Sequence, residues 1–131
     1  MGKTEDIKLL IDNENESEYL DFKSIQYNKE KFDDMIVDVM SMANSKYCGD
    51  KYIILGVKEK QNGSKDILGI PEKEFYDSSI IQNVILKNIE PEIDIDYFPI
   101  KYNDLLIGVI VIKSKNINKP YMIKKDYRKL Q

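Results

Sequence analysis

Residues 51–57, KYIILGV, form a nearly continuous apolar run in the middle of the chain. Such a run predicts a strand whose two faces are both covered. The polar stretch after it is centred on Asn62 and Gly63 and predicts a tight turn. Residues 67–70, ILGI, then predict a short strand that Pro71 ends. We therefore expect a buried central strand with structure packed on each side.

The stretch ESEYLDFKS, residues 16–24, predicts the first strand of the chain, over residues 18–24. Leu20 and Phe22 alternate with polar residues, so the period of two turns both towards the core. Asp21 and Lys23 then face away from the core. An acid and a base on one face indicate a polar site.

Apolar residues at three- and four-residue steps predict two main helices. The first covers residues 29–45 with Asn28 as its N-cap, and Asn44 is expected to cap its last carbonyls. The second begins at a cap at Asp77 or Ser78 and stops before Pro91. The buried stripe of the first helix contains Phe32, Met35, Ile36, Val39, Met42 and Ala43.

The rest of the chain predicts a short amphipathic helix over residues 3–13, a hairpin of residues 93–102 and 105–113, and a last short strand over residues 121–125. The fold class is α+β, with a mixed, largely antiparallel sheet and two main helices packed on it. The 131 residues suit one domain.

The composition excludes several kinds of chemistry. The chain has no histidine, and Cys48 is its only cysteine, so Ser-His-Asp and Cys-His catalysis, imidazole metal sites and an intramolecular disulfide are excluded. A carboxylate site would suit Mg²⁺ or Mn²⁺, which are hard cations. Neither G-x-x-x-x-G-K-[ST] nor G-x-G-x-x-G occurs, so we expect no ATP hydrolysis by this chain.

Charge is distributed unevenly along the chain. The net charge is −3, yet the region after residue 112 carries seven basic residues and one acid, Asp126. This asymmetry indicates either an interaction surface for nucleic acid or a solvated tail. The basic residues are Lys113, Lys115, Lys119, Lys124, Lys125, Arg128 and Lys129.

No apolar run approaches the ~18 residues that a membrane span needs, and residues 1–10 show no secretory leader. We therefore expect a cytoplasmic protein that does not enter a membrane.

Five stretches, in this order, together resemble the Schlafen AlbA-like domain, a family also described as a DNA-binding domain of the divergent AAA type. The resemblance covers about residues 14–127 and implies a nucleic-acid-binding domain of a prokaryotic or phage regulator or defence protein. The stretches are ESEYLDFKS, MSMANSKYCGDKYIILGV, DILGIPE, IIQNVILKNIEPEI and KPYMIKKDY.

The resemblance also implies a metal-dependent alternative. Some Schlafen proteins are ribonucleases whose site has two carboxylates five residues apart around the first strand and a third after the Gly-Val strand. Glu16, Asp21 and Glu59 match these places, although Asp21 stands where Glu is common and Glu59 is displaced behind Lys58. In this reading the three residues are both the catalytic residues and the ligands of Mg²⁺ or Mn²⁺.

In the binding reading, phosphate contacts come from basic residues along the chain and should weaken steeply with salt. The candidates are Lys23, Lys46, Lys51, Lys58, Lys124, Lys125 and Arg128.

A third alternative is a protein-interaction module. In the family a further strand follows the segment that ends this chain at DYRKLQ. We therefore expect a piece of a longer protein that lacks the last strand of the domain. An exposed sheet edge would then favour a homodimer.

Overall fold

The computed structural model describes residues 3–124, which contain three α-helices and eight β-strands. Two short 3₁₀ turns, Lys29–Lys31 and Glu72–Glu74, precede the second and third helices. The elements in chain order are α1 (Lys3–Asn13), β1 (Leu20–Lys23), α2 (Phe32–Ala43), β2 (Lys51–Leu55), β3 (Val57–Glu59), β4 (Lys65–Ile67), α3 (Ser78–Asn88), β5 (Ile89–Glu90), β6 (Ile95–Tyr102), β7 (Leu105–Ile112) and β8 (Met122–Ile123).

The main sheet has four strands in the order β1-β2-β7-β6. β1 is parallel to β2, with Leu20 opposite Tyr52, whereas β7 is antiparallel to both β2 and β6. The other strands form two small antiparallel pairs, β3 with β4 and β5 with β8. This arrangement confirms the predicted α+β class with a mixed, largely antiparallel sheet.

β2 is buried on both of its faces, as its apolar sequence predicts. Ile53 and Leu55 point into a core shared with α2 and α3, and Ile54 points into a second core on the face that α1 covers. Leu20 and Phe22 belong to the α1 core, which confirms their predicted inward orientation. The sheet is thus the middle layer of three, and the alternation along each strand divides its side chains between two cores.

The helix predicted over residues 29–45 is shorter than expected. Its first residues form a 3₁₀ turn, which Asn28 caps by accepting a hydrogen bond from the backbone N–H of Lys31 at 3.1 Å. α2 itself starts at Phe32 and ends at Ala43, with Met35, Ile36, Val39 and Ala43 buried.

Gly56 joins β2 to β3 at a close approach of two backbone segments. Its φ is +96°, and a Cβ at this position would lie 3.1 Å from Ile70 Cγ1 and 3.2 Å from the carbonyl carbon of Gly69. Only glycine takes up this φ and this space without strain. The kink turns the β3–β4 hairpin back over the start of β1, which places Glu59 near Glu16.

Candidate nucleic-acid interface

Glu16, Asp21 and Glu59, here called the carboxylate cluster, are brought together by the pairing of β1 with β2 and by the turn into β3. Glu16 Oε2 accepts a hydrogen bond from the backbone N–H of Phe22 at 3.1 Å, and the backbone N–H of Glu16 donates to Glu59 Oε2 at 3.0 Å. The structure therefore gathers the three residues that the sequence singles out. Their role in binding or catalysis stays a prediction.

The carboxyl group of Asp21 lies close enough to that of Glu16 to share a proton with it, and this is the main cause of a raised pKa at Glu16. Desolvation and the negative charges of Asp21 and Glu59 also raise the pKa, the N–H of Phe22 lowers it, and together these effects move it from 4.5 to about 7. A hydrogen bond between two carboxyl groups requires a proton on one of them. Near neutral pH the pair therefore holds a proton for part of the time.

Glu59 accepts hydrogen bonds from the loop that precedes β1. Its Oε2 accepts hydrogen bonds from Asn15 Nδ2 and from the backbone N–H of Glu16, both at 3.0 Å. The bond from Asn15 is the main cause of a lowered pKa at Glu59, because donors stabilise the ionised form.

The carboxylate cluster does not fit the metal site that the resemblance implies. Within residues 3–124, no group of three or more acidic or cysteine side chains is arranged to hold a metal ion. The contacts of the cluster explain why it is not arranged to hold a metal ion. One oxygen of Glu59 already accepts hydrogen bonds from two N–H groups, and Glu16 shares a proton with Asp21. A hard cation needs ionised oxygen donors directed at one point.

Lys23 is already paired with carboxylates. Its Nζ lies 3.3 Å from Asp21 Oδ2 and 3.5 Å from Asp38 Oδ2, and Tyr27 Oη also donates to Asp38 at 2.5 Å. Burial lowers the pKa of Lys23, but the two carboxylates outweigh burial and the net change is upward. A phosphate at Lys23 would have to compete with two acids for one cation.

Lys51 is buried, and its assignment to the interface is therefore corrected. Only 5% of its surface is exposed, and its Nζ donates to the carbonyl oxygens of Met42, Ala43 and Ser45 at 2.8, 3.2 and 3.1 Å. An ammonium has three N–H donors, so none is left for a phosphate. Lys51 instead compensates the negative C-terminal end of α2, where Asn44 is the C-cap residue and its backbone N–H donates to the carbonyl of Met40 at 3.0 Å.

The side chain of Asn44 joins the end of α2 to the strand region near residue 121. Its Nδ2 donates to the carbonyl of Tyr121 at 2.9 Å, and its Oδ1 accepts from the N–H of Tyr121 at 2.7 Å. Lys119 Nζ also donates to the carbonyl of Ser45 at 2.6 Å. Two segments that lie 77 residues apart are thus held side by side.

These contacts bring Lys119 beside Lys46 at the end of α2, and Lys124 follows three residues after Tyr121, where its backbone N–H donates to the carbonyl of Asn88. We call these three lysines the basic end. Lys46 and Lys124 are exposed and make no ion pair with another described residue. Lys119 was recognised only as part of the basic C-terminal cluster, because nothing in the local sequence indicates that it reaches the end of α2.

The remaining predicted lysines are not all at this end. Lys58 is exposed on β3, beyond the opposite end of β2 from Lys46. Lys113 pairs with Asp94 and Asp96. The predicted contacts Lys125 and Arg128 lie outside the described residues.

The sequence matches the Schlafen, AlbA_2 family over residues 16–129, so the chain belongs to this family. A similar solved structure is the solution structure of the N-terminal domain of a protein described as a RecG-related ATP-dependent DNA helicase from Nitrosomonas europaea. The likeness has a TM-score of 0.56 at 15% identity and covers 95% of this chain and 82% of the other, which shows a shared fold. A search of curated proteins found no match.

None of the helices within residues 3–124 has the length and apolar content to cross a membrane.

Proposed function

We propose that this protein binds nucleic acid through phosphate contacts at the basic end. The observation that carries the proposal is the pairing of Asn44 with Tyr121, which with the bond from Lys119 to Ser45 brings Lys119 beside Lys46 from a distant segment, while Lys124 follows in the same segment as Lys119. Phosphate contacts from lysine supply most of the sequence-independent affinity for nucleic acid. Membership of the Schlafen, AlbA_2 family supports a nucleic-acid-related role.

The buried Lys51 also supports phosphate binding at this end. The C-terminal carbonyls of a helix carry partial negative charge, which repels a phosphate. Lys51 donates to two of these carbonyls, those of Met42 and Ala43, and to the carbonyl of Ser45 just after the helix. The exposed lysines at the basic end therefore lie near the C-terminal end of α2, whose negative charge Lys51 already compensates.

The carboxylate cluster is a poor surface for phosphate. Its three carboxylates have one base beside them, Lys23, and this lysine already pairs with Asp21 and with Asp38. We therefore place the phosphate contacts at the basic end and extend them to Lys125 and Arg128, which follow it in the sequence. Lys58 would contribute only to a ligand long enough to reach past β2.

The binding test measures the salt dependence of affinity in the cytoplasmic range of ionic strength. Fluorescence anisotropy with labelled tRNA, single-stranded DNA and duplex DNA gives the dissociation constant at each salt concentration. The three lysines of the basic end alone predict a slope of about −2.1 to −2.7 in log K against log salt, which is a loss of about 20- to 40-fold between ~50 and ~200 mM.

A double variant, Lys46→Gln with Lys124→Gln, should reduce the magnitude of this slope by about 1.5 to 2. Lys101→Gln is the matched control, because Lys101 is exposed at the opposite end of the sheet, opposite Leu106. An equal slope for the double variant and the control would exclude the basic end as the interface. No retention of any nucleic acid at ~50 mM salt would overturn the binding proposal.

The same samples separate the alternatives. Cleavage of tRNA in the presence of Mn²⁺ that is lost in Asp21→Asn would favour the ribonuclease reading over simple binding. Self-association without any nucleic-acid retention would favour the protein-interaction reading.

A further inference from the structure

We infer that a groove lined by three tyrosines holds an arginine side chain of a partner protein. The groove has a volume of about 550 Å³ and lies between the second half of α1 and the amino ends of β1 and β2. We call it the tyrosine groove. Its lining includes Asp6, Glu14, Asp50, Tyr19, Tyr47 and Tyr52.

The aromatic part of the groove is preformed. The rings of Tyr19 and Tyr47 are stacked, with centroids 4.3 Å apart and planes at 28°. Tyr19 Oη donates to the Glu14 carboxylate, and the backbone N–H of Tyr52 donates to the carbonyl of Tyr19 at 2.8 Å. Tyr47 is 39% exposed, so part of its ring is open to a ligand. A flat guanidinium stacks on such a face by cation–π attraction.

The charges of the groove select a cation. Its lining contains three carboxylates, Asp6, Glu14 and Asp50, and no lysine or arginine. None of the three makes an ion pair within the described part of the chain. Nucleic-acid phosphate is repelled by this set, which separates the tyrosine groove from the basic end.

The lysines near the groove are already engaged by other groups. Lys3 and Lys113 line the neighbouring depression with Asp6 and Asp50, but both pair with Asp96, at 3.9 and 3.4 Å. Lys65 Nζ donates to the backbone carbonyls of Ile11 and Glu14, so it caps the C-terminal end of α1 and does not pair with a carboxylate of the groove. The pKa of Tyr52 is raised, first by desolvation and then by Asp50 and Asp6, which is consistent with these charges acting on the groove.

An arginine fits better than a lysine because the groove combines flat rings with carboxylates. Exposed Leu9 and half-buried Leu10 give an apolar wall for the methylene stem of the side chain. We therefore propose that the bound cation is an arginine of a polypeptide.

The test uses ¹H–¹⁵N NMR titration with an acetylated, amidated pentapeptide that has two arginines between glycines. The expected result is a set of shifts confined to the tyrosine groove, with millimolar affinity. Tyr47→Ala and Asp6→Asn should each weaken binding about three- to fivefold. Asp104→Asn, at an exposed turn next to β7, is the matched control and should leave the affinity unchanged.

Two further probes decide the outcome. The same peptide with citrulline in place of arginine keeps the shape and loses the charge, so equal binding of this peptide would overturn the inference. Tighter binding of spermidine than of the arginine peptide would assign the groove to a free polyamine and would also overturn it. Circular dichroism of each variant confirms that a lost titration does not come from unfolding.

Discussion

Replacing Glu16 by glutamine should remove a pH dependence of stability that the wild-type protein carries. The pKa of Glu16 is about 7 in the folded protein, against 4.5 for an ordinary glutamate. The folded state therefore holds the Glu16 proton more tightly than the unfolded chain. The resulting stabilisation is complete below pH 4.5 and is lost as the pH rises through about 7.

The size of the effect follows from the pKa difference and from exposure. One pKa unit corresponds to ~1.4 kcal/mol, so the full difference would be about 3 kcal/mol. Glu16 is exposed, and water screens the repulsion between exposed charges, so we expect about 1 kcal/mol. Glutamine imitates the protonated acid, because its oxygen can accept from the N–H of Phe22 while its NH₂ donates to Asp21.

The assay is urea unfolding followed by far-UV circular dichroism between pH 4.5 and 8.5. We expect Glu16→Gln to match the wild type near pH 4.5 and to exceed it by about 1 kcal/mol at pH 8. Taking the difference between the two proteins cancels the titration of the other acids. Glu18→Gln is the control, because Glu18 is exposed in the same acidic segment and makes no side-chain hydrogen bond to another described residue. Parallel pH profiles for Glu16→Gln and the wild type would refute the shared proton.

Two further substitutions test the packing that supports the basic end, and a third tests the turn at Gly56 at the other end of β2. Lys51→Met should lower the free energy of unfolding by about 1–3 kcal/mol, because three carbonyls lose a charged donor; unchanged urea unfolding would contradict this capping role. Asn44→Ala should cost about 1–2 kcal/mol through the loss of two hydrogen bonds and speed amide exchange at Tyr121; unaltered exchange there would show that the pairing does not hold the two segments together. Gly56→Ala should cost about 1–3 kcal/mol, since alanine is strained at φ +96°; a urea midpoint equal to that of the wild type would contradict the strain.

Local patterns were sufficient to predict the layers of the fold. The alternation of Leu20 and Phe22 with polar residues places them in the α1 core, and the apolar run at residues 51–57 reflects cover on both faces. These predictions succeed because each depends on the spacing of residues within one strand.

The same rule of alternation could have corrected the assignment of Lys51. Lys51 falls two residues before Ile53, so the period of two places both side chains on the face that packs against α2. A lysine on that face must find acceptors inside the fold. The unpaired carbonyls at the end of the preceding helix are such acceptors, and the sequence already predicts where that helix ends.

No pattern in the sequence predicts the pairing of Asn44 with Tyr121. The two residues are 77 positions apart, and either could make its hydrogen bonds locally. No periodicity relates Lys119 to Ser45, so the basic end exists only once the chain has folded. The link between Glu59 and Glu16 is also long-range, and it was expected only because the family resemblance related the two segments.

The two charged regions lie along the same strand but do not pair with each other. The basic end lies where β2 begins at Lys51, whereas Asp21 of the carboxylate cluster pairs with Ile53 in the middle of β2. A strand rises ~3.3 Å for each residue, so Asp21 lies about 7 Å along β2 from the level of Lys51. The carboxylate of Asp21 is paired with Lys23, and none of Lys46, Lys119 and Lys124 makes an ion pair with an acid of the described residues. The carboxylate cluster therefore does not weaken the attraction at the basic end by direct pairing, because its nearest acid is already neutralised by its own lysine.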